Sequence, residues 1–338
     1  MNLNKIIKGS RGLFCFSDPA GANFIFSILD SFLNQKNRTN FMVITNKTGV
    51  FETKYKSITG IIEFNNKIGE KILSDFNPDY IFCATSNNNF EHKVRTFFSG
   101  KIIIYSFIDH WCNYLKRFTF NNTTCLGDII FVIDEVAKKE AIEDGIPEIN
   151  LRVLNNPYYE KVKKFVPKIN KSQFLKQIKL NSNKLIILFV SDCVRDNFKK
   201  TNDKYHNLGY DEYSVLIDLL TSLNKIEVSI LMKFQLVIKI HPKSSLNKFD
   251  SIINSYNTKY IDILLVKDYD AITLNYYSDY VIGMFSNMVI EAFLLNKKLM
   301  RIQIGQIGED LMKFQYLRNQ VIITKEQLDE KLNTFLNT

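Results

Sequence analysis

Several common signatures are absent from this 338-residue chain, and each absence removes a class of protein. Glycine and proline are scarce, at 13 and 6, which argues against a turn-rich β-sandwich or a low-complexity protein. Five widely spaced cysteines (Cys15, Cys83, Cys112, Cys125, Cys193) form no CxxC pair and no Cys/His zinc spacing. Three of them, Cys15, Cys83 and Cys193, sit in or beside apolar runs, where cysteine acts as a small hydrophobe, as expected in a reducing compartment. No apolar segment approaches the roughly 20 residues that cross a bilayer, and the apolar run at the N-terminus is too short for a signal peptide. The expected location is therefore cytoplasmic, or at most peripheral on the inner face of the cell membrane. The full GxGxxG pattern is missing too, so a dinucleotide site is not expected.

What remains is 46% hydrophobic and 13% aromatic, enough for sizeable cores and too much for a largely disordered chain. The length suggests about two domains. Lys and Arg number 44 against 35 Asp and Glu, a net charge of +9 that attracts anions but also fits a Lys-, Asn- and Ile-rich genome composition. The densest basic clusters, 161–164 and 297–298, are short and lack an array of stacking aromatics, so no specific nucleic-acid partner is expected.

Short apolar runs recur at 12–16, 41–45, 80–84, 102–107, 129–133 and 152–154, with amphipathic stretches at 23–33, 69–76, 90–98 and 136–144 between them. After a polar, Lys-rich stretch from Pro157 to about Asn183 the pattern restarts. Strands are predicted at 185–190, 235–240, 261–266, 280–284, 299–304 and 321–324. Helices are predicted at 213–223, 245–256, 271–277, 287–295 and 326–335. Continuous apolar strands alternating with helices define an α/β fold with parallel sheets covered on both faces. Two such series predict two Rossmann-like domains, 1–157 and 158–338, with ligand expected where their strand C-termini meet a crevice. Which domain receives the last helix is left open.

Chemistry is expected at strand ends. FQLVIKIHPKSS ends a strand at His241-Pro242, where the imidazole can meet a phosphate as cation or proton donor. Lys243, Ser244 and Ser245 add donors at a helix start. YYSDYVIGMFSNMVIEAF passes from a strand through Phe285-Ser286-Asn287 into a helix. Ser286 at its N-cap can hold a phosphate or simply cap, and Glu291 can take a ribose hydroxyl or lie on the helix surface. Ser191, Asp192 and Arg195 follow the first strand of this half. Asp211 and Glu212, after Gly209, read as N-terminal dipole partners.

In the first half, IIIYSFIDHWCNYLKRF ends a strand and presents Asp109, His110, Trp111, Asn113, Tyr114 and Arg117. Asp109 is the expected catalytic base, with His110 second, and Trp111 is either a sugar-stacking platform or core. FCFSDPAGANF offers Asp18, Gly21 and Asn23, with Gly21 letting a ligand approach the backbone or making a tight turn. The loop 84–89 reads as a polar acceptor rim.

A strand ending in His241-Pro242 followed by a strand, Ser286-Asn287 and Glu291-Ala292 resembles the C-terminal domain of GT-B sugar-nucleotide enzymes. Those families include bacterial sialyltransferases and Kdo transferases that use CMP-sugars, CDP-glycerol polymer transferases and non-hydrolysing UDP-N-acetylglucosamine 2-epimerases. The resemblance covers roughly residues 185–305, and the serine motif departs from it, reading Ser286-Asn287 rather than two hydroxyl residues. It implies two facing Rossmann-like domains, an N-terminal acceptor domain and a C-terminal nucleotide-sugar domain. It places the nucleotide phosphate on His241 and on Ser286 with Asn287, beside Ser191, Lys243, Ser244, Phe285 and Glu291. The implied activity is inverting transfer of a sugar, of nonulosonic or Kdo type from a CMP donor, to a surface-glycan acceptor. The alternative is epimerisation of a UDP-sugar, as in the UDP-N-acetylglucosamine 2-epimerases, or a CDP-glycerol-type polymer transfer. No metal and no cofactor beyond the nucleotide sugar is expected: no DxD lies in apolar strand context, and Asp268-Tyr269-Asp270 reads as a helix N-cap.

Overall fold

The computed structural model describes residues 10–33, 41–46, 60–61, 63–86, 89–196, 207–256, 260–318 and 320–337. The chain forms two compact units, Met1–Lys161 and Val162–Thr338.

The first unit carries a parallel sheet built from β1 (Gly12–Phe16), β2 (Phe41–Thr45), β3 (Gly60–Ile61), β4 (Tyr80–Cys83), β5 (Ile103–Ile108), β8 (Ile129–Val132) and β9 (Leu151–Val153), in the order β3-β2-β1-β4-β5-β8-β9. Its helices are α1 (Pro19–Leu33), α2 (Asn66–Lys71), α3 (Asn89–Phe98), α4 (Glu135–Glu143) and α5 (Pro157–Lys163), the last of which runs across the division between the units. A π turn, Ile72–Phe76, extends α2 and stops at Asn77, whose φ of 47° is a left-handed cap. β1 and β4 are buried at every position, which is why they read as unbroken apolar runs. Leu13, Cys15, Ile81 and Cys83 fill one side of the sheet. On the other side aromatic rings stack: Phe24 on Phe107 at 3.6 Å and Phe82 on Phe131 at 5.7 Å.

A small antiparallel hairpin, β6 (Thr119–Phe120) and β7 (Thr123–Thr124), stands apart from that sheet. Its turn is Asn121-Asn122, with φ of 47° and 58°. Two positive φ values match the right-handed twist of hairpin strands, and asparagine tolerates them best after glycine.

The second unit opens with α6 (Lys171–Gln177) and holds β10 (Leu185–Val190), β11 (Phe234–Lys239), β12 (Asp262–Val266), β13 (Tyr280–Gly283) and β14 (Lys298–Arg301), parallel in the order β12-β11-β10-β13-β14. Around them lie α7 (Glu212–Leu223), α8 (Val228–Leu231), α9 (Asp250–Ser255), α10 (Ala271–Tyr277), α11 (Asn287–Leu294) and α12 (Lys325–Asn337). The final helix α12 packs in this second unit, burying Leu328, Leu332 and Leu336, one stripe at four-residue spacing, in the core that also takes Leu216, Leu219 and Leu220 of α7.

Two sequence expectations need correction. The strand expected at 321–324 is a single bridge, Ile302 to Ile322. The helix expected at 245–256 is only Asp250–Ser255, preceded by turns that bring Lys248 to Glu212 at 2.6 Å.

Candidate functional site

In each sheet the chain order reverses once, between β1 and β4 and between β10 and β13. Ligands of open parallel sheets bind outside the strand C-termini at such a point. The residues there differ in character.

In the first unit the reversal brings together Ser17 and Asp18 after β1, Thr85 and Ser86 after β4, and Asp109 after β5. Asp18 Oδ1 accepts from the Gly21 N–H at 2.7 Å at the start of α1. Burial pushes its carboxyl up to about 6, helped by the charges of Asp109 and Glu91 and opposed by the Gly21 N–H and Arg117. Asp109 is ion-paired to Arg117 at 3.1 Å. Arg117 is buried and also donates to the Thr85 carbonyl at 2.6 Å and the Cys112 carbonyl at 3.2 Å, so one guanidinium ties two strand ends together. Beneath them Glu91 of α3, 1% exposed, accepts from Ser17 and Ser86, each at 2.5 Å. Burial raises its carboxyl despite those bonds. Arg95, fully buried one turn on, donates to the Ala84, Arg117 and Cys125 carbonyls.

His110 Nδ1 lies 3.7 Å from Cys112 Sγ. Burial acts to raise the thiol, but the His110 charge and hydrogen bond, with Arg117, outweigh it and bring it down to about 7. The Asn113 amide, on a residue with φ of 56°, reaches the same sulfur at 3.6 Å.

Three expectations change here. Trp111 is 2% exposed and its indole N–H donates to Asp134 at 2.8 Å, so it is core and not a sugar platform. A side chain on Gly21 would meet the Ala84 Cβ at 2.5 Å, so this glycine serves close helix–strand packing rather than ligand approach. Asn23 sits about 140° around α1 from Asp18 and makes none of the cluster's hydrogen bonds. The loop expected as an acceptor rim is described only as far as Ser86; Asn87 and Asn88 lie outside the described residues.

In the second unit, Ile238, Phe189 and Ile282 are in register. Three residues further along each chain stand His241, Asp192 and Phe285, at one level above adjacent strands. Asp192 Oδ2 accepts from the Phe285 N–H at 3.5 Å across the reversal. His241 Nδ1 accepts from the Lys243 N–H at 3.2 Å, which assigns the ring proton to Nε2. Burial, then the charges of Lys243, Lys248 and Lys239, lower the imidazole to about 4. At neutral pH it is therefore neutral, which removes the cation and leaves the donor role of the two that the sequence offered. Ser286 caps α11, its Oγ accepting from the Met288 N–H at 3.3 Å, and the Asn287 Oδ1 beside it is buried without a hydrogen-bond partner. The N–H groups of that first turn add a positive dipole end.

Other residues expected at the nucleotide are committed elsewhere. Ser244 is buried, donates to Asp196 at 3.1 Å and accepts from Lys248 at 3.0 Å, so it braces the His241 turn. Ser191 donates to the Asp192 carbonyl at 3.0 Å. Glu291 is buried and takes the Asn275 amide at 3.2 Å, so it joins α11 to α10 rather than reaching a ribose. Asp211 caps α7, as expected, and holds Arg195 at 2.6 Å, whereas Glu212 is fully buried against Lys248. Asp270 caps α10.

Sequence reasoning passed over Glu91, Lys248 and Arg301, and gave Ser17 and Ser86 no role beyond their loops. Arg301 donates to the Met284 carbonyl at 2.8 Å and grips Asp310 at 2.6 and 2.8 Å, holding the Ser286 turn from behind. Among the described residues no group of three His, Cys, Asp or Glu could hold a metal ion, and no helix is long and apolar enough to cross a membrane.

No protein-family model and no curated protein matches the sequence. Solved structures do match the fold. The UDP-GlcNAc 2-epimerase of Neisseria meningitidis bound to UDP-GlcNAc superposes with a TM-score of 0.66 at 14% identity, covering 96% of this chain and 91% of that one. A glycosyltransferase from Rickettsia africae gives 0.61 at 15%, over 97% and 88%. Anabaena HepE in complex with UDP and glucose gives 0.59 at 11%, over 96% and 89%. The chain thus has the two Rossmann-like domains of the GT-B fold, in α/β form with parallel sheets flanked by helices.

Proposed function

We propose that this chain is an enzyme acting on a nucleotide sugar, with a UDP-sugar as substrate and epimerisation of the sugar as the reaction. The observation that carries it is the pair Asp18 and Asp109: burial, and then the charge of Asp109 beside it, push the Asp18 carboxyl up to about 6. Inverting transfer needs one base at the acceptor, whereas inverting a carbon centre needs a proton taken from one face and another delivered to the opposite face. Asp18, whose affinity lies near neutrality, suits a group that both gains and loses a proton. Asp109, held by Arg117, suits the electrostatic and orienting part.

The diphosphate belongs on the second unit in this reading. The N–H groups of the first turn of α11, the Ser286 hydroxyl and the His241 Nε2–H supply donors for it, with Lys243 as nearby cation. These donors, with the helix dipole, hold and orient the diphosphate. UDP is favoured over CMP because the fold-matched structures solved with ligands hold UDP, UDP-GlcNAc or UDP with glucose.

Glycosyl transfer to a glycan acceptor is the second reading. It is favoured by the single ion-paired carboxylate at a strand end, Asp109, which can take an acceptor hydroxyl proton. Two measurements separate the readings. Calorimetric titration with UDP, CDP and CMP should show UDP binding most tightly; preference for CMP would return the donor to the CMP-sugar class. Incubation with UDP-GlcNAc in deuterated water should incorporate deuterium on the sugar ring without any acceptor present. Binding of UDP with no exchange, and sugar release only when an acceptor glycan is added, would establish transfer instead.

A further inference from the structure

Residues 161–191 contain eight lysines and no Asp or Glu, in a chain whose whole net charge is +9. Nearly all of the charge excess therefore originates in one stretch. From Val162 onward that stretch belongs to the second unit. Its apolar side chains are committed to the core: Phe174, Leu175 and Ile178 pack beneath β10, β11 and β13. Its aromatic rings are committed as well, Phe165 edge-on to Tyr276 at 5.9 Å and Phe174 stacked on Tyr277 at 4.8 Å. The Tyr277 hydroxyl fixes the turn from below by donating to the Ile169 carbonyl.

What the stretch presents outward is Lys163, Lys164, Lys168 and Lys171, all exposed, with Val166 between them at 75% exposure. The second basic cluster of the sequence, far away along the chain, arrives at the same place. Lys297 donates to the Tyr276 carbonyl and stands 5.3 Å from that ring, the ring that Phe165 touches. Asp279, 3.7 Å from Lys171, and the exposed Glu160 one turn before Lys163 and Lys164 are acids near the tip, and two acids do not offset its five lysines.

We propose that this tip, Lys163-Lys164-Phe165-Val166-Pro167-Lys168 with Lys171 and Lys297 beside it, docks the protein on an anionic lipid bilayer. The lysines lie among the headgroups and Val166 enters the boundary with the acyl chains. A nucleic-acid partner fits the same charge less well. There is no arginine in residues 161–191 to fork onto phosphate or base edges, and the rings that could stack on bases are already packed on tyrosines. An exposed aliphatic side chain flanked by lysines has no use on a phosphate backbone and a direct one at a membrane interface. The inference is independent of the sugar-nucleotide reading.

The test is flotation of the full chain with phosphatidylcholine vesicles, plain or doped with phosphatidylglycerol. The wild type should float only with the anionic vesicles and be released by raised salt. At about fivefold per lysine neutralised, Lys163→Gln/Lys164→Gln/Lys168→Gln should bind about a hundredfold more weakly. Val166→Ser should lose a few-fold and leave the salt dependence in place. The proposal is overturned if the wild type fails to float, or if the triple variant floats as the wild type does. It is equally overturned if an RNA or DNA oligomer outcompetes the vesicles for the wild type and is lost by the triple variant.

Discussion

The two units share a doubly wound parallel sheet, yet their strand ends are furnished with opposite chemistry. At the first reversal stand three carboxyl groups, Asp18, Asp109 and Glu91, interleaved with two buried guanidiniums, Arg95 and Arg117. At the second stand a neutral imidazole, a hydroxyl, a helix N-terminus and a ring of lysines around His241. One arrangement offers groups able to gain and lose protons; the other offers donors suited to an anion. Both stand where strand order reverses, so the two sheets share a position, while the first few residues after each strand set its chemistry.

The sharpest way to break this contrast is Asp18→Asn. If the first unit carries the chemistry, turnover should fall about 10²- to 10⁴-fold while UDP affinity stays within about twofold of the wild type. The same substitution should stabilise the fold. A carboxyl raised to about 6 in the native state binds its proton more tightly there than in the unfolded chain. Its contribution is therefore fully present at low pH, is lost as pH rises from roughly 4 to 6, and stays lost above that. Asparagine removes the loss, worth about 3 kcal/mol at neutral pH, so wild-type stability should drop between pH 4 and pH 7 and that of the variant should not. A variant that loses UDP binding instead would place the nucleotide on the wrong unit.

Next in size is Arg301→Met. It takes the cation from buried Asp310, which keeps only the Gln303 amide and the Met312 N–H, and removes a donor from the Met284 and Leu317 carbonyls, which costs about 3–5 kcal/mol. Denaturant titration should show the second unit melting earlier with the first unit's transition unmoved. Under conditions where the unit stays folded, UDP binding should weaken and the pH profile of turnover should keep its shape. Coincident destabilisation of both units would deny them separate cores.

The two halves were not equally legible in the sequence, and the reason is physical. Strands buried on both faces are continuous apolar runs, so β1 and β10 could be bounded to the residue, and β2 could be as well because its half-buried positions are apolar too. Two-residue strands carry no period at all, and β3, β6 and β7 were missed, although Asn121-Asn122 between threonines was a hairpin signal in plain view. A motif also says little about which way a polar side chain turns on its helix. Glu291 and Glu91 occupy similar positions after their strands; the first was open to a surface reading and the second drew no reading, yet both are buried, against Asn275 and against two serines. The choice depends on neighbours distant in sequence, such as Ser17 for Glu91, and no local spacing reveals them. His241 and Ser286 were found because proline and an N-cap punctuate the chain where those residues stand.

A smaller effect sharpens the second half of the contrast. His241→Ala should weaken UDP binding about 10- to 100-fold, the range for a hydrogen bond to a charged group, with little change in the chemical step once substrate saturates. Burial and three lysines hold the imidazole near 4. A bound diphosphate adds negative charge and must raise that value, so wild-type affinity should tighten as pH falls through the bound-state value, with proton uptake measurable by calorimetry in buffers of differing ionisation heat. The alanine variant should show neither. Equal proton uptake in the variant would assign the titration to the ligand alone.

The smallest effect separates core from site. Trp111→Phe keeps most of the buried ring and removes the indole N–H that reaches Asp134. Asp134 also caps α4 through its other oxygen, accepting from the Ala137 N–H at 2.7 Å, so the carboxylate stays partly satisfied and the loss should be about 1 kcal/mol of stability. Because the ring is 2% exposed, it offers no face to a sugar, and KM for the nucleotide sugar should not move. A rise in KM of tenfold or more at unchanged stability would mean that the ring swings out to meet substrate, and would restore to Trp111 the stacking role that its spacing beside Asp109 and His110 first suggested.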